Sequence, residues 1–100
     1  MRLFSGNFGV SQIPFQLTQT QNLVKKIDFF GVRAWVSGVP TANVAPYNVG
    51  FETGALPYIV PTGGVPLTIE FASNDLLQDI RSVFLRSVSG TDGYYIISYP

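Results

Sequence analysis

Ten glycines and seven prolines are spaced so that no run of about eleven residues carries a helical 3.6-residue repeat free of both. Between them lie apolar stretches of roughly four to eight residues, rich in Val, Ile, Phe and Tyr. Side chains branched at Cβ or carrying a ring fit the pleated, half-buried surface of a strand. The fold class expected is all-β: a small antiparallel β-sandwich or barrel of about six to eight short strands. At 100 residues the chain makes one domain, long enough to bury a core without metal or disulfide.

The strongest strand signal covers 23–36. Ile27 and Phe29 point to one face, then Phe30, Val32, Ala34 and Val36 to the other. A one-residue change of phase across Phe29, Phe30 and Gly31 is what a β-bulge produces, and glycine tolerates it; the alternative is a central strand buried on both faces. Trp35 shares a face with Arg33, which would allow a cation over the ring. Residues 37–46 read as a long, uncharged, turn-rich connection. Tyr47, Val49 and Phe51 alternate with Asn48 and Gly50, so one face is wet. Pro57 confines 56–60 to a sheet edge or a strand start. Residues 61–64 read as a turn, and Leu67, Ile69 and Phe71 as an amphipathic strand.

The single helix candidate is a short one at 73–80, where Ser73 or Asn74 would cap a face of Leu76, Leu77 and Ile80. Residues 82–88 and 94–99 read as the two strands of a hairpin turned by Gly90, Thr91, Asp92 and Gly93. Residues 1–21 stand apart from the β domain at 22–100. They read either as an edge strand or as an extended N-terminal arm lying on a neighbouring subunit, with Phe4, Phe8 and Phe15 as anchors.

Six basic and six acidic residues cancel, and together they are fewer than the fourteen aromatics. Charge at this level is about half that of an average soluble domain. With no net field and scattered cations, neither nucleic acid nor an anionic membrane is an expected partner. No apolar run approaches the ~20 residues of a membrane helix. The first residues break into Gly, Asn and Ser before an apolar signal core could form, so the chain is expected to stay in the cytoplasm that makes it.

Histidine and cysteine are both absent, which removes the usual neutral-pH base, the thiolate nucleophile and the commonest metal ligands. A pair of carboxylates would suffice to cleave a glycoside. Each candidate, however, has a structural explanation or no motif around it: Asp28, Glu52, Glu70, Asp75, Asp79 and Asp92. Asp92 in particular reads as a turn residue chosen for its backbone. No calcium or phosphate loop is present. The expectation is a protein that is not an enzyme, with no catalytic residue, metal site or cofactor. Trp35 and the five tyrosines (Tyr47, Tyr58, Tyr94, Tyr95, Tyr99) could stack on sugars, provided two or more lie coplanar and exposed on one face.

Residues 38–43 (GVPTAN), 48–51 (NVGF), 61–64 (PTGG), 75–76 (DL) and 90–99 (GTDGYYIISY) form a succession of turns and strands. Over about 24–100 this succession resembles small virion proteins of tailed bacteriophages. The resemblance implies a capsid decoration (cement) protein that sits on the capsid surface, made in the host cytoplasm. It would bridge major capsid protein subunits as a homo-oligomer, a trimer or dimer. Interaction residues are then expected among Phe4, Phe8, Phe15, Trp35, Tyr47 and Tyr58. A tail, connector or fibre component, or a carbohydrate-binding or adhesin module, is the alternative.

Overall fold

The computed structural model describes residues 1–8, 14–52, 54–71, 78–87 and 90–100. In chain order the strands are β1 (Arg2–Asn7), β2 (Phe15–Gln16), β3 (Leu23–Val24), β4 (Lys26–Val36), β5 (Val39–Ala42) and β6 (Tyr47–Gly50). They continue as β7 (Tyr58–Val60), β8 (Gly63–Glu70), β9 (Gln78–Asp79), β10 (Phe84–Arg86) and β11 (Gly93–Tyr99). One antiparallel sheet runs β1-β11-β4-β5, with β8 also paired to β4. A second runs β2-β10-β6-β7, and β3 pairs with β9. Several ladders are only two or three residues long, so the strands outnumber the six to eight expected.

Alternation explains why the sheets stack. Ile27 and Phe29 of β4 and Ile96 of β11 turn inward from the first sheet. Val49 and Tyr47 of β6, Val60 of β7 and Leu85 of β10 meet them from the second. Val24, Ile80 and Val83 close one side, and Phe8 contributes from the N-terminal segment. Each fully buried aliphatic or aromatic side chain here is worth about 1.5–3 kcal/mol relative to exposure. The result is a small β-sandwich with one shared core.

Strand β4 is the spine. From Lys26 to Phe29 it is paired on one edge with β11 and on the other with β8. Between the pairs Phe29↔Leu67 and Gly31↔Gly63, one residue of β4 faces Gly64, Val65 and Pro66 of β8. A bulge does lie at Phe29–Gly31, but its extra residues sit on the partner strand, so it does not produce the change of phase within β4 anticipated there. Gly31 is required there because a Cβ would run into the Pro61 carbonyl. Beyond it β4 pairs with β5, and Arg33 is an extra residue between Val32↔Ala42 and Ala34↔Thr41.

Further sequence expectations change in the folded chain, beginning with the turn expected at 61–64, of which Gly63 and Gly64 already belong to β8. Residues 37–46 are not all connection. Ser37 (φ 52°) and Gly38 (φ 79°) make a two-residue turn with positive φ at both positions, and Val36 pairs with Val39 across it. Residues 90–93 do not turn a hairpin between β10 and β11. Both edges of β11 are taken by β1 and β4, while β10 lies in the other sheet, so the turn is a crossover between sheets. The helix expected at 73–80 falls partly outside the described residues (73–77). Of its remainder, Gln78–Asp79 is extended against β3, and Ile80–Ser82 is a single 3-10 turn capped by the Asp79 carboxylate. Tertiary pairing and burial of Ile80 override the weak helical pattern.

The N-terminal segment does not extend away from the body. Strand β1 pairs with β11 over its whole length, Arg2↔Ser98 to Asn7↔Gly93, and β2 pairs with β10.

Candidate functional site

The carboxylates are occupied by structural work where the structure assigns them partners. Asp79 pairs with Arg81 at 2.8 Å, and that guanidinium holds the carboxyl below its ordinary value. Asp28 accepts from the Thr68 hydroxyl at 2.6 Å and the Tyr99 hydroxyl at 3.0 Å. The second bond, to a carboxylate, raises the Tyr99 phenol above its ordinary value. No group of three metal-ligating side chains occurs among the described residues.

Asp92 corrects its reading as a turn residue chosen for its backbone. It is fully buried, and its two carboxylate oxygens accept the Val44 and Ala45 N–H groups at 2.8 and 2.9 Å. Its carbonyl accepts from the Phe8 N–H at 2.9 Å. Beside it the Asn43 amide donates to the Gly93 carbonyl at 2.7 Å and accepts from the Gly93 N–H at 3.0 Å. This clamp ties 43–45 to the crossover and leaves no reactive oxygen exposed. Sequence alone could not show it, because a turn Asp and a buried Asp look identical in one chain.

Of the six expected interaction residues, two are buried in the protein's own core. Phe8 lies 5.0 Å from the Tyr47 ring, 5.4 Å from Tyr94 and 5.7 Å from Phe15. Tyr47 is fully buried and donates its hydroxyl to the Phe30 carbonyl at 3.0 Å. Burial pushes that phenol far above its ordinary value. Neither ring has surface to offer a partner. Phe4 and Phe15 are half-buried and pack against the same core, with the Arg2 guanidinium 4.7 Å over the Phe4 ring. Tyr58 is 41% exposed, in edge contact with Phe51.

Trp35 belongs to a different arrangement. It packs at 5.3 Å against both Phe30 and Tyr95, on the face of the first sheet turned away from the core. The cation that Arg33 could have placed over its ring is not found there; among the described residues the cations over rings are Arg2 at Phe4 and Lys26 at Tyr99. Between the end of β1, the start of β11 and the second half of β4 lies a half-open groove of about 270 Å³. Ser5, Asn7, Arg33, Trp35, Tyr94 and Tyr95 line it. Trp35 and Tyr95 are inclined by 39°, so they form a slanted wall and not the flat platform that coplanar rings would give.

The remaining exposed apolar surface is aliphatic. Val36 and Val39 at the β4–β5 turn are 67% and 65% exposed, and Val65 in the β8 bulge is 75% exposed. The bulge runs close to β5: a Cβ on Gly64 would sit 3.1 Å from Pro40 Cγ. Sequence reasoning missed these valines because it ranked aromatics first. For Val36 and Val39 the signal was available in the uncharged run at 34–46, which does not include Val65. No helix among the described residues is long and apolar enough to cross a membrane. No protein-family model, curated protein or solved structure matches this chain.

Proposed function

We propose that this chain is a non-enzymatic structural protein of a virion, a decoration protein that bridges neighbouring major capsid protein subunits. The observation that carries the reading is the exposed aliphatic surface, with Val36 and Val39 paired at the β4–β5 turn and Val65 in the β8 bulge, in a chain with only twelve charges. Apolar groups left in water at a protruding hairpin and an adjacent bulge suit an interface better than a free surface. The sequence resemblance to small phage virion proteins points the same way. Homo-oligomerisation fits the outer edge of β1, six residues without proline or lysine and, among the described residues, with no strand partner beyond β11.

Attachment through aliphatic contacts resists salt, because burying such a side chain is worth about 1.5–3 kcal/mol, whereas an exposed ion pair gives about 0–1. Co-sedimentation of the purified chain with capsids of its phage should persist at 0.5 M NaCl, where the Debye length is only about 4 Å. The double variant Val36→Ser, Val39→Ser should lose attachment while keeping its thermal midpoint within about 3 °C. Release by moderate salt with the double variant still bound would refute the reading.

A further inference from the structure

The groove beside Trp35 is separate from that aliphatic surface, and we infer that it binds a sugar ring bearing a carboxylate. Three features of the groove converge on this chemistry. The first is the bulge at Arg33. Its extra residue breaks the alternation of β4 where the strand leaves β11 for β5, and a bulge at such a place re-aims a side chain. Arg33 is exposed, lines the groove and has no carboxylate partner among the described residues. Its planar fork is suited to a bidentate carboxylate.

The second feature is the wall. Trp35 and Tyr95 are half-buried, and each is braced edge-on by Phe30, so they present ring surface at fixed positions. Their inclination narrows the groove. A volume near 270 Å³ falls just below the usual range of roughly 300–1,000 Å³, enough for one or two rings and not a long chain. The third feature is the opposite rim, where Ser5 and Asn7 supply a hydroxyl and an amide for ring hydroxyls.

Charge distinguishes this ligand from a nucleotide. The cations nearest in the same sheet are at its far end: Arg2 is opposite Ser98 and Lys26 opposite Tyr99, each already over a ring. A single guanidinium suits one carboxylate and not a di- or triphosphate. A neutral sugar would stack on the wall and leave Arg33 unused.

Trp35 is the sole tryptophan, so its fluorescence reports directly on the groove. The full chain is titrated at constant ionic strength with digalacturonate, with cellobiose as the neutral two-ring control and sodium acetate as the carboxylate without a ring. A saturable change is expected with digalacturonate, with affinity at least about tenfold above either control. Arg33→Gln, which keeps the reporter and lies on the surface, lowers that affinity about tenfold without moving the thermal midpoint. In a two-dimensional amide spectrum the perturbed signals should include Asn7, Arg33 and Tyr95. The inference is overturned by a flat titration to about 50 mM. It is equally overturned if acetate matches digalacturonate, or if Arg33→Gln binds as the parent does. A flat titration would leave the shell-bridging reading intact, since that depends on co-sedimentation with capsids.

Discussion

The two halves of β4 share one continuous backbone and behave as different objects. Lys26 to Phe29 is paired on both edges, and its inward residues Ile27 and Phe29 are completely buried. Among the described residues, Arg33 to Val36 has a strand only on the β5 side, carries an extra residue, and holds Arg33, Ala34 and Val36 in water. Composition does not separate them, since both halves are rich in branched and aromatic residues. Pairing on both edges separates them: a strand flanked twice lies within the sheet over the core, while a strand flanked once projects beyond it. The first half supplies the buried core side chains, and both candidate binding surfaces involve the second.

The largest effect expected from this contrast comes at Phe29. Phe29→Ala should cost about 3–5 kcal/mol, the usual range for emptying a buried aromatic site. Trp35→Ala, at a half-buried ring on the outer face, should cost less than half as much. Urea unfolding followed by circular dichroism compares the two. Equal losses would mean that the projecting half supports the fold as much as the buried half does.

Gly31 marks the boundary between the halves and gives the next effect. Gly31→Ala puts a methyl group into the Pro61 backbone, which cannot retreat without separating β4 from the 61–63 segment. A loss of about 3 kcal/mol is expected, roughly 12–24 °C in the thermal midpoint of a domain this size. A midpoint shift under about 4 °C would show that the boundary is pliable.

Alkaline pH tests the bond that holds the boundary to the second sheet, from the Tyr47 hydroxyl to the Phe30 carbonyl. Burial keeps this phenol protonated in the folded chain well above its ordinary value of 10.0. Its stabilising contribution is therefore complete below pH 10 and is lost as the pH rises further. The slope is about 1.4 kcal/mol per pH unit for each such tyrosine. Tyr47→Phe should flatten that dependence in unfolding curves taken between pH 9 and 11. An unchanged slope would place the alkaline sensitivity on another group.

What the sequence determined by itself is the class of fold and the local grammar of its strands. Gly and Pro punctuation excludes long helices. Alternation at Tyr47–Gly50 and at Leu67, Ile69 and Phe71 marks strands with one inward face, and Gly31 marks the place of a bulge, though not that its extra residues lie on β8. These are properties of neighbouring residues, so one chain suffices to read them. Tertiary structure alone decided which strands meet. The turn at 90–93 looks like a hairpin, but β4 and β1 compete for both edges of β11, and long-range pairing prevails over proximity in sequence. That crossover carries Asp92 into the interior and makes it a clamp on Val44 and Ala45. It also brings Tyr95 beside Trp35 and Asn7 near Arg33. Residues so distant in sequence have no local pattern in common, so the groove came into existence only when the sheet closed.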